Sequence, residues 1–189
     1  KEHGLFLIED GAHVIGTKYK GQPNGSLSDM TTLSFHPVKT VTGGEGGAVL
    51  TNDETLYQKL VLYRAHGITR DPSLMEHEPD GPWYYEMIDL GYNYRMTDMQ
   101  AALIISQLDK LERFSARRKE IVAKYNEAFA KLPQIVVQKE IPESDTTRHL
   151  YILRLDPDRL KIDRKRFFEA LAAENVCCNV HYIPTYYFP

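Results

Sequence analysis

The sequence predicts an α/β protein in two parts, an open sheet with helices over residues 1–115 and a smaller α+β unit over residues 116–189. Three observations predict it. Short apolar runs of strand length alternate with helical patterns in the first part. Two of those runs end in residues fit for chemistry. After Pro133 the rhythm changes to a separate β-α-β run.

Leu5 to Ile8 reads as a short buried strand that delivers Glu9-Asp10-Gly11 at its C-terminal end. Residues 20–29 hold Gly, Pro, Asn and Ser and read as a loop. Met30 to Phe35 is a second strand. Gly43-Gly44-Glu45-Gly46-Gly47 is a turn, because four glycines in five residues hold no regular element well. Ala48 to Thr51 is a third strand. Asn52 or Asp53 then caps a helix that buries Leu56, Leu60 and Tyr63. Residues 66–96 form a long irregular segment, the kind that is functional or lies at an interface. Thr97 and Gln100 make a capping-box pattern. The helix behind it carries Ala101, Ala102, Leu103, Ile104, Ile105 and Leu108, apolar nearly all round, which predicts burial on several sides. An amphipathic helix follows over about 116–132, with Ile121, Tyr125, Ala128 and Phe129 on one face, and Pro133 ends it. Leu150 to Leu155 reads as a strand. Asp163 caps a helix with Phe167, Phe168 and Leu171, and Val176 to Val180 reads as the last strand.

Composition removes several function classes. Apolar residues make up 42% and charged residues 26%, which supports a packed core and excludes disorder. A net charge of −3 leaves no electrostatic footprint for nucleic acid. The basic runs Arg117–Lys119 and Arg164–Arg166 read as solvated helix faces. No apolar stretch reaches the roughly 20 residues that span a bilayer. No signal peptide is visible, so a cytoplasmic location is expected. The chain starts at Lys1 and stops at Pro189 within an aromatic stretch, so a fragment of a longer protein is expected. Adjacent Cys177 and Cys178 read as small apolar strand residues, and the Asn24-Gly25-Ser26 sequon as chance in a turn. None of the seven histidines shows ligand spacing, so no metal is expected. The glycine cluster fits neither phosphate-loop pattern, and G-x-S-x-G is missing around Ser34.

The chemistry centres on Asp10, Ser34 and Lys39. Asp10 ends a strand, and open α/β sheets bind ligands at that edge. Ser34 ends the next strand. Pro37 forces the chain out of it, which lands Lys39 on a loop at the same edge. Such a lysine and carboxylate form either a plain ion pair or a site for pyridoxal 5'-phosphate (PLP). In a PLP site the lysine amine takes the cofactor aldehyde as a Schiff base. The carboxylate keeps the pyridine nitrogen protonated, and a small hydroxyl donates to the phosphate.

Four runs sharpen this reading: Ile8-Glu9-Asp10-Gly11-Ala12-His13, Leu33-Ser34-Phe35-His36-Pro37-Val38-Lys39, Gly43-Gly44-Glu45-Gly46-Gly47-Ala48, and Leu90-Gly91-Tyr92-Asn93-Tyr94-Arg95-Met96-Thr97-Asp98. In order and spacing they resemble the DegT/DnrJ family of sugar aminotransferases, across essentially the whole chain. The resemblance implies the aspartate-aminotransferase-like fold type I. The chain would hold part of a three-layer α/β/α large domain and part of an α+β small domain. It also implies a homodimer with active sites shared between subunits. Lys39 would then hold PLP and shuttle protons. Asp10 would pair with the pyridine nitrogen, His13 would lie near the ring hydroxyl, and Ser34 would hold the phosphate. Asn93 would reach the phosphate of the cofactor bound in the partner subunit. Arg95 and Tyr182 (in His181-Tyr182-Ile183-Pro184) would serve the sugar nucleotide.

Family members with histidine at the lysine position are dehydratases; the lysine here implies transamination. Arg64-Ala65-His66-Gly67-Ile68 and Tyr85-Glu86-Met87 further resemble the pseudaminic acid branch of the family. That branch aminates C4 of a UDP-linked 4-keto-6-deoxy-N-acetylhexosamine with glutamate as donor, in flagellin glycan or polysaccharide biosynthesis. The family's N-terminal phosphate loop and its ring-stacking aromatic residue have no counterpart in this sequence. The rival readings are a fold type I enzyme acting on amino acids, for which no arginine clamp is visible, and an inactive fragment or regulatory homologue.

Overall fold

A computed structural model describes residues 2–187 of the chain. The elements run β1 (Ile8–Asp10), β2 (Lys18–Tyr19), β3 (Gln22–Pro23), β4 (Met30–Ser34), β5 (Gly47–Leu50), α1 (Glu54–Arg64), β6 (Ile68–Thr69), β7 (Glu86–Met87), α2 (Asp98–Leu108), α3 (Leu111–Phe129), β8 (Ile135–Val137), β9 (Ser144–Asp145), β10 (Leu153–Leu155) and α4 (Arg164–Ala173). The chain divides into two compact units. One is Lys1–Ile121 with Glu140–Leu150, and the other is Val122–Lys139 with Tyr151–Pro189.

The main sheet of the first unit has the order β1-β4-β5. β1 and β4 are parallel, with Ile8 opposite Met30 and Asp10 opposite Thr32. β5 returns antiparallel, with Ser34 opposite Gly47. The parallel pair therefore sends the chain out of both strands at one edge. Beneath that edge Phe35, Val41 and Ile104 form the buried core, packed by Ile15, Leu33, Ala48, Met96 and Leu111. Each of the three buried side chains contributes about 1.5–3 kcal/mol. A second sheet, β3-β2-β9, ties residues 144–145 back to the first unit.

Local chemistry sets the helix starts. The Asp53 carboxylate accepts from Leu56 N–H at 3.0 Å to start α1. Thr97 and Gln100 close a reciprocal capping box on α2. α2 departs from expectation on burial. Only Ile104 is buried, while Met99 and Ile105 are 82% and 61% exposed. One face sits on Phe35 and Val41, and nothing among the described residues covers the rest. α3 begins at Leu111, five residues before the expected start.

In the second unit β8 and β10 pair antiparallel. Tyr125, Phe129 and Tyr151 pack as a ring cluster, and Tyr151 donates to the Asn126 side chain at 2.6 Å. Asp163 caps α4 through Arg166 N–H at 2.8 Å. Val176 to Val180 is not a strand; no segment among the described residues pairs with it, and Cys177 and Cys178 are exposed. A strand needs a neighbour to satisfy its ladder, which residue type alone does not provide. No helix of the described residues is long and apolar enough to cross a membrane.

The long segment between α1 and α2 is held by β6 pairing with β7 and, over residues 76–86, by the Glu86 carboxylate. Glu86 accepts from Glu76 N–H at 2.7 Å, His77 N–H at 2.9 Å and the Tyr84 hydroxyl at 2.9 Å. The Glu76 N–H, seconded by Tyr84 and His77, holds the Glu86 carboxyl below its ordinary range, and Glu86 pushes the Tyr84 phenol up. A depressed carboxyl stabilises the fold fully above its unfolded value of 4.5 and stops doing so as pH falls through the lower folded value. Trp83, the sole tryptophan, sits in this loop beside Tyr84. Its emission is expected to shift as the pH falls below the ordinary carboxyl value of 4.5 and through the lower folded one, before the far-ultraviolet signal changes. Glu86→Gln should already show the shifted emission at neutral pH. Identical emission in the two proteins across the titration would remove Glu86 as the clamp.

Candidate functional site

Two adjacent acids leave β1 with different roles. Glu9 is spent inside the fold, accepting from Asn24 Nδ2 at 2.6 Å and from the Thr31 hydroxyl at 3.1 Å. Thr31 is fully buried and bonded to Ser28 as well. Asp10 is exposed, and its Oδ1 accepts from Ala12 N–H at 3.1 Å, a turn that bends the chain off the strand. Gly11 permits the bend. A Cβ there would stand 2.7 Å from the Thr32 carbonyl oxygen and 2.6 Å from Thr31 Cγ2.

Lys39 sits on a loop cinched at Phe35. Phe35 N–H donates to the Gly46 carbonyl at 2.8 Å. The Phe35 carbonyl accepts from Gly43 N–H at 3.0 Å and from the Thr42 hydroxyl at 3.1 Å. Val41, with no exposed surface, pins the loop from below. Gly44 and Gly46, at φ +83 and +133, take backbone conformations that favour glycine. Lys39 is half-buried, between exposed Val38 and buried Thr40. Its N–H donates to the His36 carbonyl at 3.0 Å. Ser34 accepts a long bond of 3.4 Å from His36 N–H, which leaves its own hydroxyl proton available.

The plain ion pair is not formed. Among the described residues the ion pairs within 4.0 Å include none between Asp10 and Lys39. Neither the Lys39 ammonium nor the second oxygen of Asp10 takes part in a hydrogen bond there. Two opposite charges at one sheet edge thus remain unspent.

The remaining candidates fall elsewhere. His13 follows Asp10 on the same edge, half-buried, with its ring 4.4 Å from that of His149 and tilted by 59°. Asn93 and Arg95 are exposed on a strap that follows β7. Tyr92 and Tyr94 stack on each other there, centroids 4.9 Å apart. Among the described residues no hydrogen bond joins the Asn93 or Arg95 side chain to Asp10, Ser34 or Lys39. Tyr182 lies in the second unit, 69% exposed. The geometry therefore gathers Asp10, Ser34 and Lys39, with His13 beside them.

Sequence reasoning passed over the Phe35–Val41 cinch, Gly11, and a bond from the Tyr63 hydroxyl to Asp89 Oδ2 at 2.7 Å. Only Gly11 carried a local signal, a glycine directly after the strand-ending acid.

Comparison with known proteins gives the family and the fold. A transaminase of Campylobacter jejuni, named for UDP-4-amino-4,6-dideoxy-N-acetyl-beta-L-altrosamine, is 38% identical over 188 residues, 100% of this chain and 47% of that protein. Helicobacter pylori PseC, an aminotransferase involved in the biosynthesis of pseudoaminic acid, superposes with a TM-score of 0.88 at 28% identity. That match covers 99% of this chain and 48% of PseC. The candidate sugar aminotransferase Spr1654 of Streptococcus pneumoniae, in its PLP form, gives 0.82 at 33% identity, over 96% of this chain and 46% of that one. The chain spans about half the length of the curated relatives it matches. Its mixed helix-and-sheet fold is the fold type I expected. The model of the DegT/DnrJ/EryC1/StrS aminotransferase family matches residues 1–189, and the chain belongs to that family.

Proposed function

We propose that this chain forms part of a PLP-dependent enzyme that moves an amino group from glutamate to a keto nucleotide sugar, at C4 of a UDP-linked 4-keto-6-deoxy-N-acetylhexosamine. The observation that carries the reading is the unspent pair, Asp10 and Lys39, fixed at one sheet edge with the Ser34 hydroxyl. This donor set fits the cofactor: an acceptor for a ring N–H, an amine for an aldehyde, and a donor for a phosphate. PLP, when bound, supplies the electron sink for the carbanion formed on either substrate.

The chain's own residues do the rest. The Asp10 carboxylate holds the proton on the pyridine nitrogen. Lys39 Nζ moves protons at the reacting carbon, at a distance the Phe35 cinch sets. Ser34 Oγ donates to the phosphate, and His13 flanks the ring hydroxyl. The enzyme works in the cytoplasm as a homodimer. Asn93 reaches the phosphate held by the partner subunit, while Arg95 and Tyr182 contact the sugar nucleotide. Residues 1–115 carry the cofactor and 116–189 the smaller domain. Kinship with the C. jejuni transaminase and with PseC supports the choice of substrate.

The test uses the protein as its gene encodes it. PLP is added, the sample is reduced with borohydride, and the peptides are mapped. The cofactor should be found on the peptide that carries Lys39. A folded protein with no adduct, or with one elsewhere, would overturn the reading. Mass spectrometry then follows the keto sugar with glutamate present. Turnover of keto acids alone would point instead to an enzyme of amino acids.

A further inference from the structure

We infer that Tyr63, on the last turn of α1, is a positioning residue for Asn93. The inference rests on the role given to Asn93 under Proposed function.

Tyr63 grips the strap at two places. Its hydroxyl donates to Asp89 Oδ2 at 2.7 Å, and its carbonyl accepts from Tyr92 N–H at 2.7 Å. The other Asp89 oxygen accepts from Leu90 N–H at 2.7 Å, which fixes the carboxylate against its own backbone. One residue thus spans residues 89–92, the four that deliver the chain to Asn93. Between the grips the strap backbone lies directly on the loop behind α1. Gly91 there has no Cβ, and one would stand 2.5 Å from the His66 carbonyl carbon. Past the second grip the path is shared with the helix end. His66 N–H donates to the Tyr92 carbonyl at 2.8 Å, and Tyr94 N–H to the Arg64 carbonyl at 3.0 Å. Ala65 and Asn93 themselves form a single β-bridge.

The main-chain bonds belong to any residue at position 63. The hydroxyl–carboxylate bond belongs to tyrosine alone, and among the described residues it is the side-chain hydrogen bond that ties residues 88–92 to α1. Three residues separate α1 from β5, the strand paired with Ser34, so the helix carries the position of the sheet to the strap. An exposed asparagine has many rotamers to lose on binding. A fixed backbone beneath it lowers that cost.

The test is Tyr63→Phe in the protein as its gene encodes it, with two readouts. Hydrogen exchange needs no cofactor: amides 90–94 should exchange about 10-fold faster, while those of β4 and α2 stay unchanged. PLP affinity should fall about 3- to 10-fold, with turnover at saturating cofactor changed less than twofold. In an Asn93→Ala background the same change should cost less than twofold, because the two residues act through one contact. Unchanged exchange at 90–94 would overturn the inference, and so would an equal affinity loss with and without Asn93. If the unaltered protein binds no PLP, the cofactor reading fails, and the exchange result still decides whether Tyr63 fixes the strap.

Discussion

Lys39→Ala is expected to slow the amino transfer by about 10³-fold or more and to leave the fold intact. A positioned acid–base group contributes roughly 10²–10⁴-fold, and loss of covalent attachment adds to that. The structural half of the expectation comes from what Lys39 touches. Its ammonium takes part in no hydrogen bond or ion pair among the described residues. The loop is held by Phe35, Thr42 and Val41, none of which the substitution alters. The melting transition should therefore move by no more than about 0.5 kcal/mol in stability. Lys39→Arg separates charge from chemistry. It keeps the positive charge near Asp10 but offers no amine that can attach to an aldehyde. Its rate should stay within about 10-fold of the alanine variant. If the arginine variant kept a tenth or more of normal turnover, Lys39 would be acting as a charge only. If the alanine variant melted early, Lys39 would hold structure, and the unspent amine would be misread. Turnover with the keto sugar and glutamate, beside a thermal melt of each variant, decides among these.

Part of this site was legible because its determinants are local. Pro37 stops the strand, so Lys39 follows on a loop. Thr97 and Gln100 sit three apart and close their own cap. Asp53 finds Leu56 N–H within one turn. Other features turn on groups far apart in sequence. Tyr63 and Asp89 are 26 residues apart, and nothing in either neighbourhood names the other. The composition of α2 predicts neighbours on several sides, yet one face alone is covered here. An apolar helix states that it needs partners without stating which. Val176 to Val180 has strand residues, but a strand is a pairing, and no complementary edge exists among the described residues. Glu9 and Asp10 look alike in the sequence. Thr31 and Asn24 decide between them, by bonding one and leaving the other exposed.

Gly91→Ala tests the other half of the architecture, the strap that carries Asn93 and Arg95. The substitution adds one methyl group, and the methyl has no room. At Gly91 a Cβ would stand 2.5 Å from the His66 carbonyl carbon and 3.0 Å from Gly67 Cα, with the Gly67 nitrogen nearer still. Every one of these atoms is backbone, so no side chain can rotate away. The opposing residue is equally constrained. Gly67 lies at φ +68, and a Cβ on it would collide with the Asp89 carbonyl. The two backbone segments approach to a distance that only paired glycines allow. Relief requires the strap to lift, and lifting breaks the bonds from Tyr92 N–H to the Tyr63 carbonyl and from His66 N–H to the Tyr92 carbonyl. The expected cost is about 3–5 kcal/mol if the strap stays seated. If it lifts locally, the cost is less and the displacement of Asn93 greater. Hydrogen exchange separates the two outcomes. Fast exchange confined to residues 88–94 with a near-normal melt means the strap has lifted, and PLP affinity should then fall by as much as the proposed role of Asn93 predicts for Asn93→Ala. A melt lowered by about 10 °C or more means the strap remained and the whole unit absorbed the strain. A variant matching the unaltered protein in both measurements would show that the two backbones do not lie in contact. The strap's hold on Asn93 would then need another origin.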